Sequence, residues 1–432
     1  MGVRSTVRQF FALERDVLVL SVAMFAFSLA YQMTGRYMAK YLSVLGATAF
    51  VVGIYVSFGN LLGALYPYPG GALSDRLGTR SSLTLFGAVS TVGFVLWAVA
   101  PLAGTISILG YGFPAWALVF LGLAFVQAWK SLGLGATFAL VKQSAPEGRL
   151  ATGFASTEVF RRVGFLVGPV LAGLLVAAAP SFTRGFQVVL VVGAVVALGA
   201  TAIQHTLYES EADTVGKSFE GVSSIIDDLR ALPSELRPLL VADTFVRFAN
   251  GMAYEFFVLV VVDYLAVGTT LFGVRFSPEA YFGLLLGVEM VVALLVMVPS
   301  ARLADAWGLK PVVAAGFAVY AVFPLLLVNA PKSALVLAGL FAFSGLRFAG
   351  LPAHKALVVG PATAETGGRV TGTYYLVRNI LTIPSAALGG WLYHAYSPQL
   401  AFTLATVVGL LGVGYFVVFG ERFEQEGGRV SP

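Results

Sequence analysis

The chain has 432 residues, of which 58% are hydrophobic and 11% charged, with a mean hydropathy of +0.86; soluble domains carry about 25% charged residues, so a soluble globular class is excluded. The formal charge of +5 suits basic loops facing one leaflet, and it calls for no nucleic-acid partner. With no cysteine in the chain, disulfides, thiolate nucleophiles and thiolate metal sites are excluded as well.

The first apolar run, from about Asp16 to Tyr37, follows a basic start (Arg4, Arg8, Arg15). It is longer than a signal-peptide core and lacks a small-x-small cleavage site, so it reads as a retained span. Further spans are predicted near 47–70, 81–100, 114–141, 151–178, 184–207, 238–265, 280–301, 311–330, 333–359, 370–393 and 398–419. Each is long enough to cross about 30 Å of hydrocarbon as a helix. The expectation is an all-α polytopic membrane protein of twelve transmembrane helices. Placing the N-terminus inside leaves Lys40, Arg184, Arg275 and Lys332 outside. The other loop cations, among them Arg76, Arg80, Lys142, Lys217, Arg302, Lys310, Arg369 and Arg422, then lie on the cytoplasmic side. That asymmetry places both termini in the cytoplasm.

The long polar segment after the sixth span divides the chain into a half at 1–207, a cytoplasmic linker at 208–237 and a half at 238–432 with a short tail. Within the linker, Phe219, Val222, Ile225, Ile226, Leu229 and Leu232 recur at helical spacing, which predicts an amphipathic helix at the membrane surface. The halves repeat one another. Asp75 matches Asp305, Lys130 matches Arg347, Lys142 matches Lys355, Arg149 matches Arg369, Arg162 matches Arg378, and Gly173 matches Gly389. A duplicated six-span unit accounts for the common offset.

Between spans two and three stands G-x-x-x-D-R-x-G-x-R (Gly71, Asp75, Arg76, Gly78, Arg80), and the second half carries a reduced copy in "ARLADAWGLK" (Asp305, Gly308, Lys310). A tight reversal there calls for glycine at Gly71 and Gly78. This motif, on six plus six spans, resembles the major facilitator superfamily. The resemblance implies the major facilitator fold, with two pseudo-symmetric halves. It further implies alternating access, a small-molecule substrate, a multi-pass place in the cell membrane, a monomer and no cofactor. It also makes the motif residues a conformational latch. Span five, "GFLVGPVLAG" (Gly164, Gly168, Pro169, Gly173), is similar to the proton-coupled drug and organic-solute antiporter branch. Its physical content is close helix packing through small faces and a proline bend.

Charges inside spans cost about 2.5–3.5 kcal/mol each on insertion scales, so they face partners or a wet cavity. Asp243 with Arg247, and Glu158 with Arg161 and Arg162, are spaced to pair along one helix face. A coupled antiporter needs a carboxylate that gains and loses a proton; Glu158, Glu255 and Glu289 are the candidates, with protons as coupling ion. The cavity and substrate candidates are Tyr31, Lys130, Arg161, Arg162, Arg247, Asn250, Tyr254, Arg347, Tyr374, Arg378 and Asn379. His205, His354 and His394 fall at predicted span ends, where headgroup contacts are expected, and no metal-ligand cluster is present. No P-loop or nucleophile motif points to an enzyme. The function expected is export of small organic molecules by a proton-coupled secondary transporter. The alternative is a carrier of organic anions or phosphate esters through an arginine-lined cavity.

Overall fold

The computed structural model describes residues 15–104, 106–108, 111–132, 150–207, 234, 236–359 and 367–420. The predicted linker helix, Lys142, Arg149 and Arg369 lie outside the described residues, as do the side chains of Asp75, Glu158 and Asp305. Among the described residues, eight helices are long and apolar enough to cross a membrane, and two shorter apolar helices accompany them at Ala49–Leu65 and Trp116–Leu132.

The helices fall into two compact units. The first comprises Met1–Ala47 with Gly59–Phe219 and is built from α1 (Arg15–Gly35), α2 (Met38–Val44), the C-terminal part of α3 (Ala49–Leu65), α4 (Pro67–Leu77), α5 (Thr79–Ala103), α6 (Trp116–Gln127), α7 (Leu150–Ala177) and α8 (Phe182–Leu207). Its packing rests on small faces. A Cβ added at Gly164 of α7 would stand 2.9 Å from the backbone nitrogen of Leu29, and one at Gly168 would stand 2.9 Å from the Cβ of Gln32, so α7 lies directly on the backbone of α1. Such approach substitutes for the hydrophobic drive that is missing between helices in lipid.

The second unit comprises Thr48–Phe58 with Glu220–Pro432 and contains α9 (Leu236–Ala253), α10 (Pro278–Trp307), α11 (Leu309–Val328), α12 (Ala334–Gly345), α13 (Leu351–Val359), α14 (Gly367–Thr382), α15 (Ser385–Ala395) and α16 (Pro398–Phe419). Leu239, Val246, Val313, Phe317, Leu357 and Phe416 form its apolar centre. Large side chains left exposed, such as Val191, Val195 and Leu198 on α8 and Leu410, Leu411 and Val417 on α16, suit a hydrocarbon surround. Two short antiparallel hairpins, Ile106–Ile108 with Tyr111–Phe113 and Thr269–Leu271 with Val274–Phe276, are additions to the all-α expectation.

Three spans contain π or 3-10 turns among the described residues. Span four has a π turn at Ala128–Leu132, span seven passes through a 3-10 turn at Tyr254–Phe256 and a π turn at Val260–Tyr264, and span ten contains a 3-10 turn at Leu346–Gly350. Each of these turns carries a charged residue, Lys130, Glu255, Asp263 or Arg347.

The motif between spans two and three corrects one expectation. Gly71 is not a reversal glycine: it lies inside α4, which starts on Pro67 and runs to Leu77. The whole turn is made at Gly78, with φ +78° and ψ 158°, and its counterpart Gly308 repeats it at φ +89° and ψ 162°. The N–H groups of Gly78 and Gly308 donate to Ser74 and Ala304, each at 2.9 Å. The basic residue two positions on is also used alike in both halves. Arg80 Nε donates to the carbonyl of His205 at 2.8 Å, and Lys310 Nζ donates to that of Gly420 at 2.5 Å. Each cation thereby caps the C-terminal end of the last helix of its own unit, α8 or α16, where the helix dipole is negative.

Backbone with φ near +80° and ψ near 160° is essentially restricted to glycine. Gly78→Ala and Gly308→Ala are therefore each expected to lower stability by about 1–3 kcal/mol, seen as a reduced Tm in detergent. An unchanged Tm in both variants would refute this account of the turns.

Candidate functional site

Asp243 on α9 is the most heavily partnered charge among the described residues. Its side chain is 0% exposed. Oδ1 accepts from Arg247 Nε at 3.2 Å, one turn along the same helix. Oδ2 accepts from Arg378 Nη1 at 3.0 Å and from the Tyr374 hydroxyl at 3.1 Å, and His354 Nε2 stands 3.1 Å from the same oxygen. The imidazole is also 3.3 Å from the Tyr374 hydroxyl. Carboxylate, imidazole, phenol and two guanidiniums thus converge from α9, α13 and α14. A buried carboxylate is tolerable when it is paired and its lone pairs are used, and here both oxygens are used.

A second pair lies nearby in the same unit. Glu289 on α10 accepts from Arg347 Nη2 at 2.8 Å and from the Ser344 hydroxyl at 2.5 Å, all three being buried. The Arg347 guanidinium is centred 4.9 Å from the Tyr254 ring, 5.0 Å from Tyr320 and 4.9 Å from Phe348. Tyr320 joins the two clusters: its hydroxyl accepts from Arg247 Nη1 at 3.3 Å. A small cavity of about 10 Å³, bounded by Arg247, Tyr320, Arg347 and His354, separates them, room for about one water.

The first unit contains a larger cavity, about 110 Å³. Phe27 of α1 and Trp129 of the π turn stack along one wall, ring centroids 4.1 Å apart and planes 9° apart. Lys130 Nζ sits 4.4 Å above the Tyr31 ring and 3.4 Å from its hydroxyl. Arg161 and Gln32 complete the polar lining. Gln32 Oε1 accepts from Arg36 Nε at 3.0 Å, and the Ser28 hydroxyl donates to the Arg161 carbonyl at 2.9 Å, fixing α1 and α7 beside the cavity.

The structure therefore sorts the sequence candidates. Tyr31, Lys130 and Arg161 share the cavity of the first unit. Arg247, Arg347 and Arg378 belong to carboxylate clusters of the second. Tyr374, expected in a cavity wall, is fully buried against Asp243 instead. Asn379 orients Arg378, its Oδ1 accepting from Nε at 3.2 Å and from Nη2 at 2.8 Å. Glu289 is neutralised across helices by Arg347. Glu255 stands on the 3-10 turn of span seven, half-buried, as do Tyr254 on the same turn and Asn250 on α9. Arg162 is half-buried on α7. Gly164, Gly168 and Pro169 are in α7, where both glycines contact α1.

The assignment of His354 to lipid headgroups is overturned. It is 3% exposed and inside the Asp243 cluster. Trp129 and Phe27 were missed because a lone ring in an apolar span looks like packing.

Three comparisons agree with this architecture. Residues 244–430 match the sequence model described as Major Facilitator Superfamily. An uncharacterized MFS-type transporter of Methanocaldococcus jannaschii is 19% identical over 413 residues, 94% of this chain and 95% of that protein. Among solved structures, the nucleoside transporter NupG superposes with a TM-score of 0.73 at 12% identity, covering 94% of this chain and 100% of that one. A bacterial homologue of the iron transporter ferroportin in the inward-facing state gives 0.71 at 14%, covering 95% and 100%. A POT family transporter in complex with 5-aminolevulinic acid gives 0.70 at 14%, covering 94% and 96%.

Breaking one partner of a buried pair strands the other. Arg347→Met is expected to cost about 3–5 kcal/mol, whereas adding Glu289→Leu recovers most of that loss. Thermal unfolding in detergent of the single and double variants checks this, and a double variant no more stable than Arg347→Met would refute the pairing.

Proposed function

We propose that the chain, which belongs to the major facilitator superfamily and is a membrane transporter, is a proton-coupled antiporter exporting small organic molecules by alternating access. The observation that carries this reading is the wholly buried carboxylate of Asp243 shared by an imidazole, a phenol and two guanidiniums. An ionisable cluster inside a membrane span is costly, and proton relays are a principal use of one.

The chemistry follows from the contacts. With His354 neutral, the single negative charge of Asp243 faces the two positive charges of Arg247 and Arg378. A proton delivered to His354 places a third positive charge on one carboxylate, and Arg247 and Arg378, whose side chains are 24% and 16% exposed, are the partners able to turn toward water. Arg347 and Tyr320 stand across the small cavity from His354, so its charge is also felt by the Glu289 pair. Proton binding thereby changes the relative energy of the two orientations, and substrate binding biases the same equilibrium. The span-five glycines support antiport, since their contact with α1 gives α7 a close, small-faced seam. Asp75, Arg76 and Asp305 keep their assignment to the cytoplasmic latch, with both termini in the cytoplasm. Arg80 and Lys310 act on helix ends of their own units.

The test is solid-supported-membrane electrophysiology on proteoliposomes, screening lipophilic cations, neutral organics and organic anions with and without a pH gradient. Gradient-dependent currents are expected in the wild type, falling at least tenfold in His354→Gln and in Asp243→Asn. Gradient-driven transport that survives in both variants but vanishes in Glu158→Gln or Glu255→Gln would move the proton site to that glutamate. A wild type indifferent to the gradient would reject proton coupling.

A further inference from the structure

We propose that the hairpin between spans seven and eight lies in the membrane–water interface, with Leu271, Phe272 and Val274 against lipid and Arg275 turned toward headgroups and water. The partner is the bilayer in which the chain itself sits, so the inference stands apart from the solute moved and from the coupling ion.

The hairpin has two unlike faces. Leu271 pairs with Val274, Thr270 with Arg275 and Thr269 with Phe276. Directly opposed residues share a face and successive residues alternate between faces. Thr269, Leu271, Val274 and Phe276 therefore stand on one face, and Thr270 and Arg275 on the other. At the base of the first face Thr269 and Phe276 are half-buried, whereas Leu271 and Val274 nearer the tip are 41% and 55% exposed. The apolar face starts against the protein and continues past it uncovered. Thr270 and Arg275 are exposed on the opposite side.

The tip carries a backbone cost that no burial within the chain offsets. Phe272 is 104% exposed and has φ +51°, and Gly273 follows at φ +79°. Two central residues of positive φ form the hairpin turn that Asn-Gly and Asp-Gly favour, and a bulky residue in that region is an outlier. A phenylalanine ring held in an unfavourable conformation, wholly outside the protein, is accounted for by contact with something other than this chain.

Position identifies that contact. The hairpin follows directly on the end of span seven at Tyr264 and directly precedes α10 at Pro278. Its base is fixed: Ser277 Oγ accepts from the Ala280 N–H at 3.3 Å, and a Cβ at Gly268 would stand 2.5 Å from the Phe276 carbonyl oxygen. Helix α10 has 30 residues, about 45 Å of helix, against about 40–45 Å for a bilayer with its headgroups. With the Gly308 turn at one end of α10, the hairpin at the other end stands at headgroup depth. Strands of three residues reach only about 10 Å, so the tip stays within reach of the interface. Amphipathic rings collect at that depth and basic side chains beside them meet lipid phosphates. The arrangement is a strand counterpart of the interfacial amphipathic helix.

The chain contains no cysteine, so single nitroxide labels carry no background. Val274→Cys and Thr270→Cys both keep Phe272 and place one label on each face. Power-saturation EPR in phosphatidylcholine and phosphatidylglycerol vesicles compares collisions with oxygen, which concentrates in lipid, and with a water-soluble nickel chelate. The oxygen-to-nickel ratio is expected to be about threefold or more higher at 274 than at 270. Adding Phe272→Asn to the Val274→Cys chain is expected to remove most of that difference, while the Tm in detergent stays level or rises because asparagine suits the turn. Equal ratios at 270 and 274, or an undiminished difference with Phe272→Asn, would overturn the proposal. Dipolar broadening of the label at 274 that vanishes on dilution with unlabelled protein would overturn it too, by assigning the apolar face to a second copy of the chain. A Tm lowered by Phe272→Asn would mean that the protein itself holds the ring, which is equally fatal.

Discussion

The burial of the Asp243 carboxylate is the constraint on which the second unit depends. An ion removed from water costs several kcal/mol even after relaxation, so the surrounding helices must keep enough partners on it. They come from α9 itself, from α13 through His354 and from α14 through Tyr374 and Arg378, while α11 is tied in through Tyr320 and Arg247. The apolar centre around Leu239, Val246, Phe317, Leu357 and Phe416 excludes water, and the low dielectric strengthens each bond as it raises the cost of losing one. The same environment that makes the cluster rigid makes its charge state consequential.

The duplication expresses itself as repeated local physics more than as repeated sequence. Gly78 and Gly308 make the same rare turn, and Arg80 and Lys310 cap the same helix end in each unit. Lys130 and Arg347, matched between the halves, both stand where the α ladder is broken, by a π turn in one half and a 3-10 turn in the other. A break re-aims side chains and opens backbone spacing. The two halves use it differently: Lys130 is left exposed at a cavity, and Arg347 is sealed onto Glu289 among three rings.

What was legible in the sequence followed from signals that are local along the chain. Spans are legible because hydropathy accumulates over about 20 residues, and the helix at Pro398–Phe419 has the bounds expected of it. The Asp243 and Arg247 pair is legible because four residues make one turn. Arg378 and His354 are more than one hundred positions from Asp243 in the chain, so nothing in a single sequence joins them. The breaks at Tyr254–Phe256 and Leu346–Gly350 contain Glu255 and Arg347, but a charge within a span marks a costly residue and not a change of helix type, so the breaks themselves are silent. Gly71 was misread for a related reason: the glycine spacing suggested a loop, whereas Pro67 at the first turn starts a helix that carries the motif to Gly78.

The two units divide the electrostatic work. In the second, Asp243 is shared by Arg247, Arg378 and His354, and Glu289 meets the buried Arg347. In the first, Lys130 and Arg161 line a cavity together with Tyr31, Phe27 and Trp129. Under the proposed mechanism, a proton site and a solute site need no direct contact to be coupled. Each has only to bind one orientation better than the other, and the coupling is then reciprocal. Turning a 1:99 equilibrium into 99:1 requires about a 10⁴-fold difference in affinity between orientations. Under the proposed coupling, a proton taken up at the Asp243 cluster contributes to such a difference, because in a low dielectric a small change in surroundings alters the energy of a full unit charge.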